Sequence, residues 1–539
     1  MPKTEAEDEI TAQENPDTQW TTSIWSASDK SNGKPPYWIQ GPRYQGHVSE
    51  GRVQLTDEDS RRICRKIDKR ILVILVWVYF LQVLDKMVVG HSAILGLQAD
   101  LALMGNRFYW VVTITLIAQL VALPFSAFLI VKVPPRTLLP AMILAWGIAQ
   151  TCTSAAHSFG GLMTARAALG IFEAGCLPLF AIMTGAWYRR AEQPLRIAAW
   201  YGTNGLATVI ASLLSYGFGK IQSPHLAPWR IMFLSTGLVT ILTVPFIYRK
   251  LENDVQTASF LAEDEQSMAI ERLRANQAAS DSREVRWGQV KEAVKDVKTF
   301  LFFIMSLGNS LGSQVPFTFG PLILERLGYD NYTTLLLNMP FGALQYIVIL
   351  GVSWLSVKFR WKSLTLGSSL IPVIIGLVIL FVLPEGSTNT AVLLIGYHLF
   401  AFIFGCNSLI LSWIMANTAG QTKKSITLSL YSAVSSIGSA LGPLLFKSSD
   451  APKYDTALKI TLGVYIGIFW AVIIQVVNLV LLNRAQEKKR VAHEKPATLH
   501  DHSMGESYVD IAVDNENYVG NFAFADLTDK QNDEFVYIC

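Results

Sequence analysis

The chain has 539 residues, 51% of them hydrophobic and only 16% charged, with a formal net charge of +3. Soluble domains carry about 25% charged residues, so this balance points to lipid, and the small dispersed charge argues against a nucleic-acid partner. The five cysteines, Cys64, Cys152, Cys176, Cys406 and Cys539, have no paired spacing, which argues against a disulfide framework or a zinc site.

Residues 1–70 begin polar and acidic, lack the short apolar core of a signal peptide, and read as a disordered cytoplasmic tail. A bilayer core needs about 20 apolar residues per helix. By that ruler the first half-chain holds six spans, at 71–92, 108–131, 138–156, 160–184, 197–218 and 231–248. A polar, helix-prone linker at 249–298 is too charged to enter lipid. Six more spans follow at 299–319, 336–357, 364–383, 391–414, 427–446 and 459–482, and residues 483–539 read as a second disordered cytoplasmic tail.

Lysine and arginine in short loops set the orientation of such a chain. "RRICRKIDKR" precedes the first span, and "VKVPPRT", "YRRAEQPLR", "YRK", "VKFRWK", "TKK" and "NRAQEKKR" all fall on the same side, which is the cytoplasm by this rule. The opposite side then carries the sequon at Asn331, a candidate glycosylation site. Six spans, a linker and six spans predict an all-α membrane protein and match the twelve-span major facilitator plan, two six-helix halves around a central cavity; hydropathy alone leaves another twelve-span fold open, and the motifs decide. The short basic turns "VKVPPRT" and "VKFRWKS" at matching places in the halves agree with a repeat.

The first span contains "FLQVLDKMVVG", and a charge inside a membrane span is rarely idle. Asp85 lies about 21 Å along that span, and Arg166 about 9 Å into the fourth, which runs the other way. In a core about 30 Å thick the two depths agree. Two readings stand: a carboxyl that exchanges a proton under the influence of Arg166, or a static ion pair joining helices. Lys86 as a local partner of Asp85 is a poor third, because neighbours at i and i+1 do not share a helix face.

In "RAALGIFEAGCLP", Arg166, Gly170 and Glu173 fall on one stripe of the fourth span, with Gly170 open to close approach. Glu173, about 10 Å deeper than Arg166, is a second proton site or a helix contact. Asn204, Asn309, Gln314, His398 and Asn407 are intramembrane polar residues that either touch a substrate or join helices. "GSALGP", Gly438 to Pro443, reads as a small-residue packing contact with a kink. No phosphate loop, HExxH or metal-ligand cluster appears, so the expectation is no cofactor, no enzyme activity and energy drawn from a gradient.

Several segments taken in order resemble the fungal anion:cation symporter family of the major facilitator superfamily, in its allantoate permease-like branch. They are "YFLQVLDK", "RAALGIFEAGCLPLF", "WYRRAEQPLRIAAWYGTNG", "APWR", "NTAGQTKKSITLSL", "GPLLF" and the terminal "FADLTDKQNDEFVYI". "VKVPPRT" departs from the general facilitator motif by lacking its Gly and Asp-Arg. "GPLLF" also lacks a Gln that often follows the Pro in relatives. The resemblance implies proton-coupled uptake of a small carboxylate such as allantoate, nicotinate or a related acid or vitamin. The partners are then the anion, protons and the lipid bilayer, for a monomer in the plasma membrane. Asp85 becomes the coupling acid, and Arg166 the counter-charge of the anion or the regulator of Asp85. Export of a secondary metabolite on the same fold is the alternative, and a non-transporting nutrient sensor a further one.

Overall fold

The structure is a computed structural model that describes residues 55–103, 107–221, 226–273, 276, 285–326, 331–383, 389–445, 455–493, 495–497 and 526–539. Its regular elements are helical. The chain opens with α1 (Asp57–Ile67), whose first-turn acids and last-turn cations complement the helix dipole and whose N-terminus is capped by Thr56. A wider turn, Asp68–Leu72, carries it straight into α2 (Val73–Ser92). There follow α3 (Gln98–Asp100), α4 (Arg107–Lys132), α5 (Pro135–Ser154), α6 (Phe159–Glu173) and α7 (Cys176–Trp187). Next come α8 (Gln193–Tyr201), α9 (Thr203–Gly219) and α10 (Pro228–Lys250). The linker forms α11 (Glu263–Leu273) and α12 (Trp287–Lys295). The second half is α13 (Val297–Arg326), α14 (Asn331–Phe359), α15 (Lys362–Val382), α16 (Thr390–Leu399), α17 (Ala401–Ala416), α18 (Gln421–Leu441) and α19 (Asp455–Ala492).

Helix therefore stands at each of the twelve apolar stretches. Three of them are broken in two, between α6 and α7, α8 and α9, and α16 and α17. The first break has a local cause: Pro178 has no N–H to give to the carbonyl four residues back, at Ala174. Among the described residues, nine stretches are long and apolar enough to cross a membrane by themselves. α5, α13 and α18 are not among them, and α18 is the serine-rich "QTKKSITLSLYSAVSSIGSAL".

The packing repeats with a shift of six. α5 packs on α10 in the first half as α15 packs on α19 in the second, α4 on α6 as α14 on α17, and α2 on α9 as α13 on α18. The halves meet through α9 with α14 and α4 with α18, two contacts that the same shift exchanges. The α9–α14 contact is backbone on backbone. A Cβ on Gly205 would stand 2.3 Å from the Gly342 carbonyl oxygen, so neither position has room for a side chain. Gly170 does the same within the first half, against the Thr115 carbonyl of α4, which is the close approach its small size predicts. Large apolar side chains such as Val121, Leu242, Ile347 and Trp470 point outward, as a lipid-facing surface requires.

Two expectations are corrected at the linker face. Residues within 1–70 and 483–539 were expected to be disordered, yet α1 and the last fourteen residues are packed against the bundle. Lys66 bonds Glu265 of α11 at 2.7 Å, and Arg196 pairs with Asp68 at 2.9 Å. Buried Arg272 pairs with Glu192; burial, the largest single effect, pushes that carboxyl up, but Arg272, Arg196 and Arg189 together outweigh it and hold it below the usual range. Residues 526–539 lie in a groove of the second half. Trp413 and Asn417 donate to the Ile538 carbonyl at 2.8 and 2.9 Å, and Asn417 accepts from the Ile538 N–H at 2.8 Å. Tyr537 exchanges two hydrogen bonds with Asn483, both 2.8 Å. Asp529 is fully buried between Lys298 at 2.6 Å and Lys423 at 2.7 Å. The segment also reaches the first half: the Arg190 guanidinium lies 4.4 Å from the centre of the Phe535 ring. A composition rule misses this because the segment is polar for a reason: its acids are ligands of buried cations.

Candidate functional site

The charges predicted within the first half come together. Asp85 on α2, Arg166 and Glu173 on α6 are all buried, and Glu173 and Arg166 are the charges that bear on Asp85. The simple Asp85–Arg166 pair is not what forms. Neither oxygen of Asp85 and neither Nε nor Nη2 of Arg166 has a hydrogen-bond partner among the described residues. Arg166 instead stacks its guanidinium 4.9 Å from the centre of the Phe233 ring. Thr236 of α10 and Trp146 of α5 flank Asp85, yet the Trp146 Nε1–H also completes no bond. Gln150 donates to Thr236 at 3.3 Å and keeps its own oxygen unpartnered. The pocket is thus a set of polar groups aimed inward and left unsatisfied, an arrangement that costs about 1–3 kcal/mol per neutral group.

Lys86 has a partner that the sequence did not name. It is no partner of Asp85, but its Nζ stands 2.8 Å from Glu173 Oε1. Side chains on a helix lean toward its N-terminus, so on oppositely directed helices Lys86 and Glu173 lean toward each other. This contact joins α2 to α6 with one partner buried and the other 43% exposed. Glu173 is therefore a helix contact in this conformation.

The amides divide into two groups. Asn204 and Asn407 both converge on Tyr201. Asn204 donates to the Tyr79 hydroxyl at 3.3 Å and the Tyr201 carbonyl at 2.6 Å. Asn407 of α17 donates to the Tyr201 hydroxyl at 2.5 Å and accepts from the Tyr431 hydroxyl of α18 at 2.7 Å. A chain of hydrogen bonds thus crosses from the first half to the second. The remaining residues lie apart from it. Asn309 donates to the Ile403 carbonyl, a tie between α13 and α17. Gln314 packs where a Cβ on Gly442 would stand. His398 donates from Nδ1 to the Leu394 carbonyl one turn back. Asn331 is the first residue of α14. Tyr79, Tyr201, Tyr431 and Gln345 were missed; Gln345 is fully buried with both amide atoms unpartnered among the described residues. A polar atom inside a span was their one signal in the sequence, and aromatics hide it.

A family model for the Major Facilitator Superfamily matches residues 75–443. The chain belongs to this superfamily. An uncharacterised transporter of Schizosaccharomyces pombe is 31% identical over 486 residues, covering 89% of this chain and 92% of its own. The allantoate permease of Saccharomyces cerevisiae is 26% identical over 495 residues, covering 90% and 88%. A thiamine pathway transporter of the same yeast is 30% identical over 407 residues, covering 74% and 76%. Among solved structures, a proton:xylose symporter of the superfamily superposes with a TM-score of 0.61 at 13% identity, over 75% of this chain and 94% of its own. That likeness shows the fold. The superfamily member described here is a multi-pass membrane transporter and not an enzyme, and its similarity to a fungal permease agrees with the resemblance carried by its motifs.

Proposed function

We propose that the chain imports a small organic anion together with protons, with Asp85 as the coupling acid. The observation that carries this reading is the buried carboxyl of Asp85 on α2 and the buried guanidinium of Arg166 on α6, with both carboxylate oxygens and the Arg166 Nε and Nη2 unpartnered among the described residues. Charges buried without partners are expensive, so they are retained where they move or bind something. A guanidinium that swings onto the carboxyl favours its ionised form, and one that swings away favours the protonated form. Alternating access supplies that swing, because Phe233 offers Arg166 a second resting place. The similarity to an allantoate permease supports a carboxylate as cargo.

In this reading all twelve stretches cross the membrane, with 71–248 and 299–482 as the two halves. The 249–298 linker and the tails at 1–70 and 483–539 then lie in the cytoplasm, in the plasma membrane of a monomer. Arg166, Asn204, Asn309, Gln314, His398 and Asn407 remain the candidates for touching the anion, and the convergence of Asn204 and Asn407 on Tyr201 supports those two above the rest. Proteoliposome uptake of a panel including allantoate and nicotinate, with and without a pH gradient, tests the reading. Asp85→Asn should fold normally and abolish gradient-driven accumulation while leaving counterflow exchange. Normal accumulation in well-folded Asp85→Asn would refute the assignment.

A further inference from the structure

Four lysines among the described residues are buried: Lys298, Lys362, Lys423 and Lys424. Three have acceptors. Lys298 pairs with Asp529 at 2.6 Å. Lys423 is surrounded by Asp529 at 2.7 Å, Glu292 at 2.9 Å and Asp296 at 3.0 Å. Lys362 donates to the Ser412 carbonyl at 3.3 Å. Lys424, the very next residue after the best-satisfied of them, is 8% exposed and finds no acceptor for its ammonium among the described residues. The charge that bears on it is Arg190, of the same sign.

Its position explains what such a group can serve. Lys424 belongs to α18 in the second half, but its Nζ reaches α7 of the first half, 2.6 Å from where a Cβ on Gly185 would stand. Beside it the Ser425 hydroxyl donates to the Ala127 carbonyl of α4, so this is the seam between halves at the linker face. Seven residues further along α18 is Tyr431, on the same stripe of the helix and about 10 Å away. Tyr431 is the end of the hydrogen-bond chain through Asn407 and Tyr201. When that chain parts, the next polar groups along α18's stripe are the buried hydroxyl of Thr427, unpartnered among the described residues, and then the Lys424 ammonium.

We infer that Lys424 is a release-side binding site for the carboxylate of the transported anion, taking it up as the linker-face seam opens. This rests on the reading that the cargo is a small organic anion. The lone ammonium is a cost in the closed state, and the anion supplies the partner that the chain withholds.

The test uses full-length protein with allantoate and nicotinate as probes. Lys424→Met should lower the maximal transport rate by about tenfold or more, while equilibrium affinity for the probe in the closed form changes by less than about twofold. The same substitution should raise the melting temperature of the ligand-free protein, because it removes an uncompensated buried charge. A purely structural lysine predicts the reverse, a lower melting temperature with the loss of rate, and that result overturns the inference. A wild type that transports the probes alongside an unimpaired Lys424→Met overturns it as well, leaving the organic-anion reading standing. A wild type that moves none of the panel overturns both.

Discussion

Replacing Asp529 by Asn should release the C-terminal segment. The carboxylate is fully buried, 2.6 Å from Lys298 and 2.7 Å from Lys423. Breaking a buried pair by removing one partner costs about 3–5 kcal/mol, because the other charge stays buried. Here the lower end applies. Lys423 keeps Glu292 and Asp296, whereas Lys298 keeps the Asn417 carbonyl and only a 3.8 Å contact with Asp296. At about 1.4 kcal/mol per tenfold, a loss of about 3 kcal/mol shifts docking by more than a hundredfold. Cys539 is the natural reporter, since its carbonyl accepts from the Lys362 N–H at 3.0 Å when the segment is docked. With the exposed Cys152 changed to Ser, thiol labelling of Cys539 should speed up by tenfold or more in Asp529→Asn. Lys298→Met added to it should recover part of the loss. The pH dependence follows in sign. Burial opposes ionisation of Asp529, but Lys298 and Lys423 outweigh it and hold its carboxyl well below the usual range. A depressed acid contributes stability that is present above its unfolded value, near 3.9, and is lost as pH falls through the folded one. Docking should therefore hold from neutral pH to about pH 4 and weaken progressively as pH falls below it. Unchanged Cys539 labelling in Asp529→Asn at neutral pH would show that the ion pairs do not hold the segment.

Gly205→Ala places a methyl 2.3 Å from the Gly342 carbonyl, so α9 and α14 must separate; overpacking of this kind costs about 1–3 kcal/mol. Transport should be impaired in protein that still reaches the membrane, and wild-type rates would mean the seam need not close as seen here. Topology is tested by cysteines introduced at Ser282 and Asn331, which should be labelled from opposite sides. Labelling from one side only rules out the twelve-span arrangement, and a glycosidase-sensitive mass shift reports use of the Asn331 sequon.

The helices and their order are local properties, and both were legible from runs of apolar residues. The buried positions of Asp85, Arg166 and Glu173 were legible too, because three ionisable groups stand out in apolar spans. Partnership was not. Lys86 and Glu173 are 87 positions apart and meet only because oppositely directed helices lean their side chains together. Asn204 and Asn407 looked no different from Asn309, yet only the first two converge on Tyr201. The terminal acids looked like the acids of any solvated tail until Lys298 and Lys423 were seen around Asp529. Lys423 and Lys424 are adjacent and identical in type, and no periodicity tells them apart. Composition and period determine which elements form and which face is apolar, because those depend on neighbours in the chain. Which charge is satisfied and which is left bare depends on groups a hundred or more residues away, and packing alone decided that, among the described residues, Lys423 is paired and Lys424 is not.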